Sequence, residues 1–314
     1  MDNLCHTLVG AAIAQASPLR RTPLAMATCI IGANLPDVDG LLYVFGEGGV
    51  DSLAFRRGWT HGILAMAVWP FVLAGIMLAF DRFVRRGLRP GKPPALWKPL
   101  LILSAITVLS HPLLDFLNTY GIRLLAPFSW KWFYGDALFI IDPWVWIALA
   151  VGVTLSSIRK RRRSPNPDRP ARMALLVVGS YAVAMLLSGV VGRIAADLSV
   201  PGSERRMVGP KWMNPFRRQL VLDFGEEYRN GSVEFLPRPA VEVARGVEPK
   251  GADDPLAREA AATERGRKFL SWSRFPIFRV ERTADGGARV ELADARYPPF
   301  HGDWPSTVIL LPPR

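Results

Sequence analysis

Cysteine is almost missing from this chain: of 314 residues only Cys5 and Cys29 are cysteines. Two cannot build a disulfide framework, so both read as ordinary buried thiols, one near a helix start and one inside an apolar run. No basic n-region precedes the first apolar stretch, which carries His6 and Gln15. A secretory signal peptide is therefore not expected, and the chain should insert through its own helices. Internal repeats and low-complexity tracts are absent as well. Acidic residues are lacking from one strongly basic segment: residues 82–98 hold six Lys or Arg and no acid.

What is abundant is apolar sequence. Half of the residues are hydrophobic, more than one soluble core of this size needs. The net charge of +12 lies wholly in two segments. One is 82–98; the other is 159–172, where Arg159 through Arg163, Arg169 and Arg172 outweigh Asp168, and each segment carries +6. Both are flanked by long apolar runs, as the positive-inside rule describes for cytoplasmic loops. Nucleic-acid binding is not expected, because no aromatic residue interleaves the 159–163 run.

The apolar stretch 62–81 is long enough at helical rise to cover a hydrocarbon core of ~30 Å. Stretches 98–119, 143–158 and 171–196 are further spans, and 4–17 with 22–35 read as a hairpin of short helices. Placing the basic loops inside puts loops 37–60 and 120–142 outside, with Trp59, Trp130, Trp132 and Trp144 as an outer aromatic belt. Beyond residue 197 the sequence turns to alternating runs at 219–224, 232–236, 277–283, 288–293 and 307–311. Asn230-Gly231 and Gly286-Gly287 read as hairpin turns, and 254–270 reads as a helix. The expected fold is mainly α: a polytopic bundle of about six helices over 1–196, with a β-rich extracytoplasmic domain over 197–314, in a bacterial-type inner membrane.

Ionisable residues within membrane helices are functional candidates by default. His6 begins the first helix, Asp37 and Asp39 follow the second, His61 opens the third, and His111 with Asp115 lies in the fourth. Asp136 and Asp142 precede the fifth, where Asp142 before Pro143 also suits a helix cap. The orientation set by Lys and Arg alone brings all of them to the outer side. His111 and Asp115, spaced i and i+4, share one helix face. Pro36 should end its helix and leave Asp37-Val38-Asp39 extended, with both carboxylates pointing one way; one could bind a metal while the other bridges a second ion or holds a ligand histidine, the alternative being a plain turn at Asp39-Gly40. Mixed imidazole and carboxylate ligation suits Zn²⁺ or Mn²⁺ and makes a water reactive. His301, in a Pro and Gly loop, reads as a surface residue.

The segments Met1-Asp2-Asn3-Leu4-Cys5-His6-Thr7-Leu8, Asn34-Leu35-Pro36-Asp37-Val38-Asp39, Arg56-Arg57-Gly58-Trp59-Thr60-His61, Ser110-His111-Pro112-Leu113-Leu114-Asp115 and Asn118-Thr119-Tyr120-Gly121 together resemble the integral-membrane metal-dependent hydrolases of the YdjM type, DUF457, over roughly residues 1–200. That family is distantly similar to zinc-dependent phospholipase C and P1 nuclease. The resemblance implies that His6, Asp37 or Asp39, His61, His111 and Asp115 are metal ligands. The soluble enzymes use further histidines and an acid later in the chain, where only His301 remains here, so one or two ions are implied rather than three. Many members carry Ser where this chain has Gly62.

The expected activity is hydrolysis of a phosphoester or lipid-linked ester at the outer membrane face, with Asp39 or Asp37 as general base and membrane lipids as surroundings. Two other classes compete. A proton or metal-ion transporter predicts ionisable residues through the whole membrane depth, and the inner halves of these helices show none. A non-catalytic scaffold with a structural metal predicts a bound ion without turnover.

Overall fold

Asp2 starts the chain's first helix, α1 (Asn3–Ala16), by accepting from the amides of Leu4 and Cys5 at 3.0 and 3.1 Å, as a short acidic side chain does at a helix N-cap. The computed structural model describes residues 1–45, 49–297 and 306–313; His301 lies outside them. A turn over Ser17 to Leu24 leads into α2 (Ala25–Asn34), which packs back on α1, and Asn34 Nδ2 donates to Thr7 Oγ1 at 3.0 Å. Next comes α3 (Ile63–Phe80), extended by a π-helical turn at Asp81–Arg85 into α4 (Arg86–Leu88). Asp81 ties that turn down by pairing with Arg85 and accepting the Ala95 amide at 3.0 Å. The remaining long helices are α5 (Trp97–Phe116), α6 (Pro143–Arg161) and α7 (Arg169–Ser199).

All six helices expected from the apolar pattern are present, within a few residues of their predicted limits. Three stretches are long and apolar enough to cross a membrane: Ile63–Leu88, Trp97–Phe116 and Arg169–Ser199. In the first and last, only 28% and 22% of the most apolar stretch is buried. Residues such as Val68, Phe71 and Ile76 on α3, and Leu176, Val183 and Leu187 on α7, face outward. Exposed apolar faces of that length fit lipid better than water.

One local expectation fails. Residues 35–45 wind into a 3₁₀ helix (Leu35–Phe45), so Asp37 and Asp39 do not lie in extended chain. Pro36 stands at the second position of that helix, where its missing amide is not needed and its fixed φ suits the turn. The aromatic belt also loses a member: Trp59, Trp130 and Trp144 are exposed, but Trp132 is buried, with the Arg123 guanidinium 4.5 Å from its ring centre.

The chain divides into two compact units, one of Met1–Asp39 with Arg57–Leu187 and the other of Gly40–Arg56 with Ser188–Arg314. The second contains two antiparallel sheets. Strands β1 (Arg205–Lys211), β2 (Asn214–Asp223), β3 (Glu227–Glu234) and β4 (Ala240–Val243) lie in that order, and β5 (Glu248–Pro249) also pairs with β3. The other sheet is β6 (Pro276–Arg282), β7 (Ala288–Asp294) and β8 (Thr307–Leu311). Gly286, at φ +87°, makes the β6–β7 hairpin as expected.

Asn230-Gly231, in contrast, is no turn: both lie inside β3, paired with Val221 and Leu220 of β2. Gly231 serves close approach instead, since a Cβ there would stand 2.3 Å from the Glu242 carbonyl oxygen on β4, a recurrent use of glycine within strands. The expected helix 254–270 is two, α8 (Pro255–Ala262) and α9 (Glu264–Leu270). Thr263 divides them by leaving the helical region and capping α9 through the Gly266 amide.

Candidate metal centre

His111 lies near the end of α5, one turn before Asp115, and its surroundings fix its chemistry. Its Nδ1 lies 2.7 Å from the Ala33 carbonyl oxygen at the end of α2. A carbonyl only accepts, so Nδ1 carries the proton and Nε2 keeps its lone pair. That Nε2 points to His61 Nε2, 3.1 Å away. His61 sits in the turn just ahead of α3, where its own Nδ1 is engaged from the other side, 2.9 Å from Thr60 Oγ1 and 3.7 Å from Asp39 Oδ2.

Two carboxylates close the arrangement. Asp115 Oδ2 lies 3.6 Å from His61 Nε2 and 3.5 Å from His111 Nε2. Asp37 reaches the same nitrogens at 3.5 and 3.8 Å. One ligand atom from each of Asp37, His61, His111 and Asp115 falls within 4.8 Å of the other three, so this group could hold a metal ion. His61, His111 and Asp115 are fully buried, and the charge that meets Asp115 Oδ2 is the Arg57 guanidinium, whose Nε lies 3.1 Å away. Burying a carboxylate is unfavourable unless a cation meets it. The donor set of two imidazoles and two carboxylates suits a borderline divalent ion.

The 3₁₀ helix puts the two aspartates to different uses. Asp37 faces Nε2 of His61 and Asp39 faces Nδ1, so one imidazole is held between them. Asp39 Oδ2 also accepts the Arg57 amide at 2.9 Å. At 3.7 Å Asp39 acts on His61 through its charge, while Thr60 Oγ1, at 2.9 Å, is the hydrogen-bond partner of Nδ1. Burial pushes the Asp37 carboxyl up, but the His61 hydrogen bond and the nearby imidazoles outweigh it and hold Asp37 below the usual carboxylate range. Burial likewise holds His61 below the usual histidine range, which keeps a lone pair available.

His6 is brought close but has a different place. Its ring stacks on His111 at 3.8 Å between centres and 16° between planes. Its Nε2 lies 3.4 Å from Asp115 Oδ1, the oxygen that the Met1 amino group also meets. Asp136 and Asp142 stand outside the four-residue group. Asp136 is buried in left-handed backbone at φ +50°, between residues whose amides cap the end of α5: Gly135 to Phe116, and Ala137 and Leu138 to Leu117. Asp142 is the N-cap of α6, accepting from the Trp144 and Val145 amides and, at 3.2 Å, from the Tyr181 hydroxyl.

The sequence reading gave no role to Arg57. This buried guanidinium places Nε 3.1 Å from Asp115 Oδ2 and donates through Nη1 to the Gly121 carbonyl at 3.0 Å and to Asn118 Oδ1 at 3.4 Å. It also stands 4.6 Å from the centre of the Tyr120 ring. Asn118 Oδ1 in turn accepts the Tyr120 and Gly121 amides. The signal was within reach: Arg57 lies four residues before His61, and Asn118-Thr119-Tyr120-Gly121 begins three residues after Asp115.

Comparison with known proteins gives three findings. A family model described as YdjM inner membrane protein matches residues 1–193, the segment that contains every residue of this centre. The "Uncharacterized protein YfhP" of Bacillus subtilis (strain 168) is 26% identical over 316 residues, covering 95% of this chain and 87% of its own length. No solved structure matches significantly.

Proposed function

Because this chain belongs to the YdjM inner membrane protein family, we propose that it is a multi-pass, membrane-embedded, metal-dependent hydrolase that cleaves a phosphoester or lipid-linked ester at the outer membrane face. The observation that carries the reading is the meeting of Asp37, His61, His111 and Asp115 around one point, within 4.8 Å of one another and beside a buried arginine. A purely structural histidine pair would be satisfied by backbone or solvent. Here the outer nitrogen of each ring is already engaged and the inner ones converge.

In this reading Zn²⁺ or Mn²⁺ takes the four-donor position, and when bound it supplies Lewis acidity that makes water nucleophilic near neutral pH. Asp37, a carboxylate beside both ligand imidazoles, is the general base in this reading. Asp39 acts on His61 through its charge, from the Nδ1 side. Arg57 meets a non-bridging oxygen of the substrate phosphate, where a planar guanidinium is well suited. The C-terminal unit is assigned to the extracytoplasmic side because both basic loops, 82–98 and 159–172, then lie in the cytoplasm.

The test uses the full chain purified in detergent, with metal analysis and hydrolysis of bis(p-nitrophenyl) phosphate. Stoichiometric divalent metal and turnover, both lost in His111→Ala, are expected. Bound metal without turnover of any ester would favour a scaffold with a structural ion. Absence of bound metal after loading would overturn the reading.

A further inference from the structure

A second polar concavity lies at the other end of the helices that begin near the His and Asp group. Its volume is about 850 Å³, and Gln15, Arg20, Arg21, Ser157, Lys160 and Arg161 supply its polar lining. His6 is near the start of α1 and Gln15 near its end. Asp142 caps the start of α6, and Lys160 and Arg161 close it. His6 stacks on His111 of the centre while Ala14 and Gln15 line this pocket, and the fourteen residues of α1 span ~21 Å, so the two lie toward opposite ends of α1.

The cations come from two separate segments, the α1–α2 connection and the end of α6. Asp168, the acid in the lining, is already engaged by Arg20 at 3.2 Å and Arg172 at 2.9 Å. Among the described residues Arg21, Lys160 and Arg161 have no ion-pair partner. Ser157 Oγ accepts from Gln15 Nε2 at 3.0 Å, which leaves the hydroxyl proton for an incoming oxygen. Orienting the chain in the membrane requires only that positive charge be present on one side. It does not require cations from two segments to converge on a cavity of ligand size with neutral donors between them.

We propose that this pocket binds a phosphate-bearing anion, with Arg21, Lys160 and Arg161 as the charged contacts and Ser157 as the neutral donor. Ala14 and the exposed Met26 give it an apolar wall. That wall suits the glycerol portion of an anionic lipid headgroup, and a soluble phosphomonoester shares the same recognition chemistry. Basic pockets between membrane helices on the cytoplasmic side recognise such headgroups.

The experiment follows the melting midpoint of the full-length protein in detergent as dioleoyl phosphatidylglycerol, dioleoyl phosphatidylcholine or glycerol 3-phosphate is added. A saturable upward shift with phosphatidylglycerol and none with phosphatidylcholine assigns a lipid source; a shift with glycerol 3-phosphate alone assigns a soluble one. The Arg21→Gln, Lys160→Gln, Arg161→Gln variant should weaken the shift by about tenfold or more. An Arg82→Gln, Arg162→Gln, Arg163→Gln variant, which removes equal charge outside the pocket, should leave it within about twofold. No shift in the wild type, a shift that persists in the pocket variant, or equal loss in both variants would overturn the proposal.

Discussion

His61 Nε2 and His111 Nε2 stand 3.1 Å apart although fifty positions separate them in the chain. Two nitrogens bound at ~2.1 Å to one tetrahedral ion lie roughly 3.4 Å from each other, so these two stand close to the separation that one ion bridges. His61→Ala and His111→Ala should each remove the bound ion when the purified protein is analysed for metal. Asp39→Asn should act differently, because Asp39 faces the outer nitrogen of His61. It should weaken binding by ~10 to 100-fold, the usual effect of losing an outer-shell partner. Metal titration with a competing chelator separates the two cases, and an Asp39→Asn loss as complete as that of His111→Ala would make Asp39 a direct ligand.

Gly62, next to the ligand His61, is packed closely against the 122–126 segment. A Cβ there would stand 2.2 Å from the Ala126 carbonyl oxygen, and the neighbouring Ile63 amide donates to Leu124 at 3.0 Å. Gly62→Ser therefore has to push the 122–126 segment away and displace His61 with it. The variant should show lower metal occupancy and a melting midpoint several degrees below wild type; an unchanged midpoint and occupancy would show that the loop yields freely.

Much of this centre was legible because its ligands sit in short motifs at helix starts and ends. The Lys and Arg distribution alone sends those motifs to one side. The i, i+4 relation of His111 and Asp115 follows from helix geometry. Arg57 was harder to read, since an arginine four residues before a histidine looks like one more positive charge until Asn118 and Gly121 fold back on it. The Asp37 and Asp39 geometry escaped because proline permits either extended chain or the first turn of a helix, and the sequence does not say which. Asn230-Gly231 misled for a related reason: a strong turn dipeptide was used for close strand contact.

Arg57 and a bound cation share Asp115. With the ion absent, the guanidinium is the close positive partner of Asp115 Oδ2, at 3.1 Å. Truncating one member of a buried pair leaves the other uncompensated, which costs about 3 to 5 kcal/mol. Arg57→Met should therefore lower the melting midpoint strongly in chelator and much less in saturating zinc, so zinc stabilises the variant more than it stabilises wild type. Equal destabilisation in both conditions would mean that Arg57 supports the fold only through Gly121 and Asn118.

In the C-terminal unit the pH dependence turns on Asp294, the last residue of β7. Its carboxylate pairs with Arg296 Nε at 2.8 Å and accepts from the Ser273 hydroxyl at 2.6 Å and the Arg274 amide at 2.8 Å. The Arg296 guanidinium lies 4.5 Å from the Trp272 ring centre and 5.2 Å from that of Tyr297. Burial alone would push the Asp294 carboxyl up, but the Arg296 charge and the hydrogen bonds win and hold it below its ordinary value. A carboxyl depressed in the folded state contributes its stability above the unfolded value, near pH 4, and loses it as the pH falls through the folded value. Hydrogen exchange of the full chain should therefore show β6 and β7 protected between about pH 5 and 7 and opening progressively below about pH 4. Asp294→Asn should open the same strands already at neutral pH while leaving exchange in α5 unchanged. Uniform protection of β7 down to pH 3 in the wild type would show that the pair does not hold this sheet.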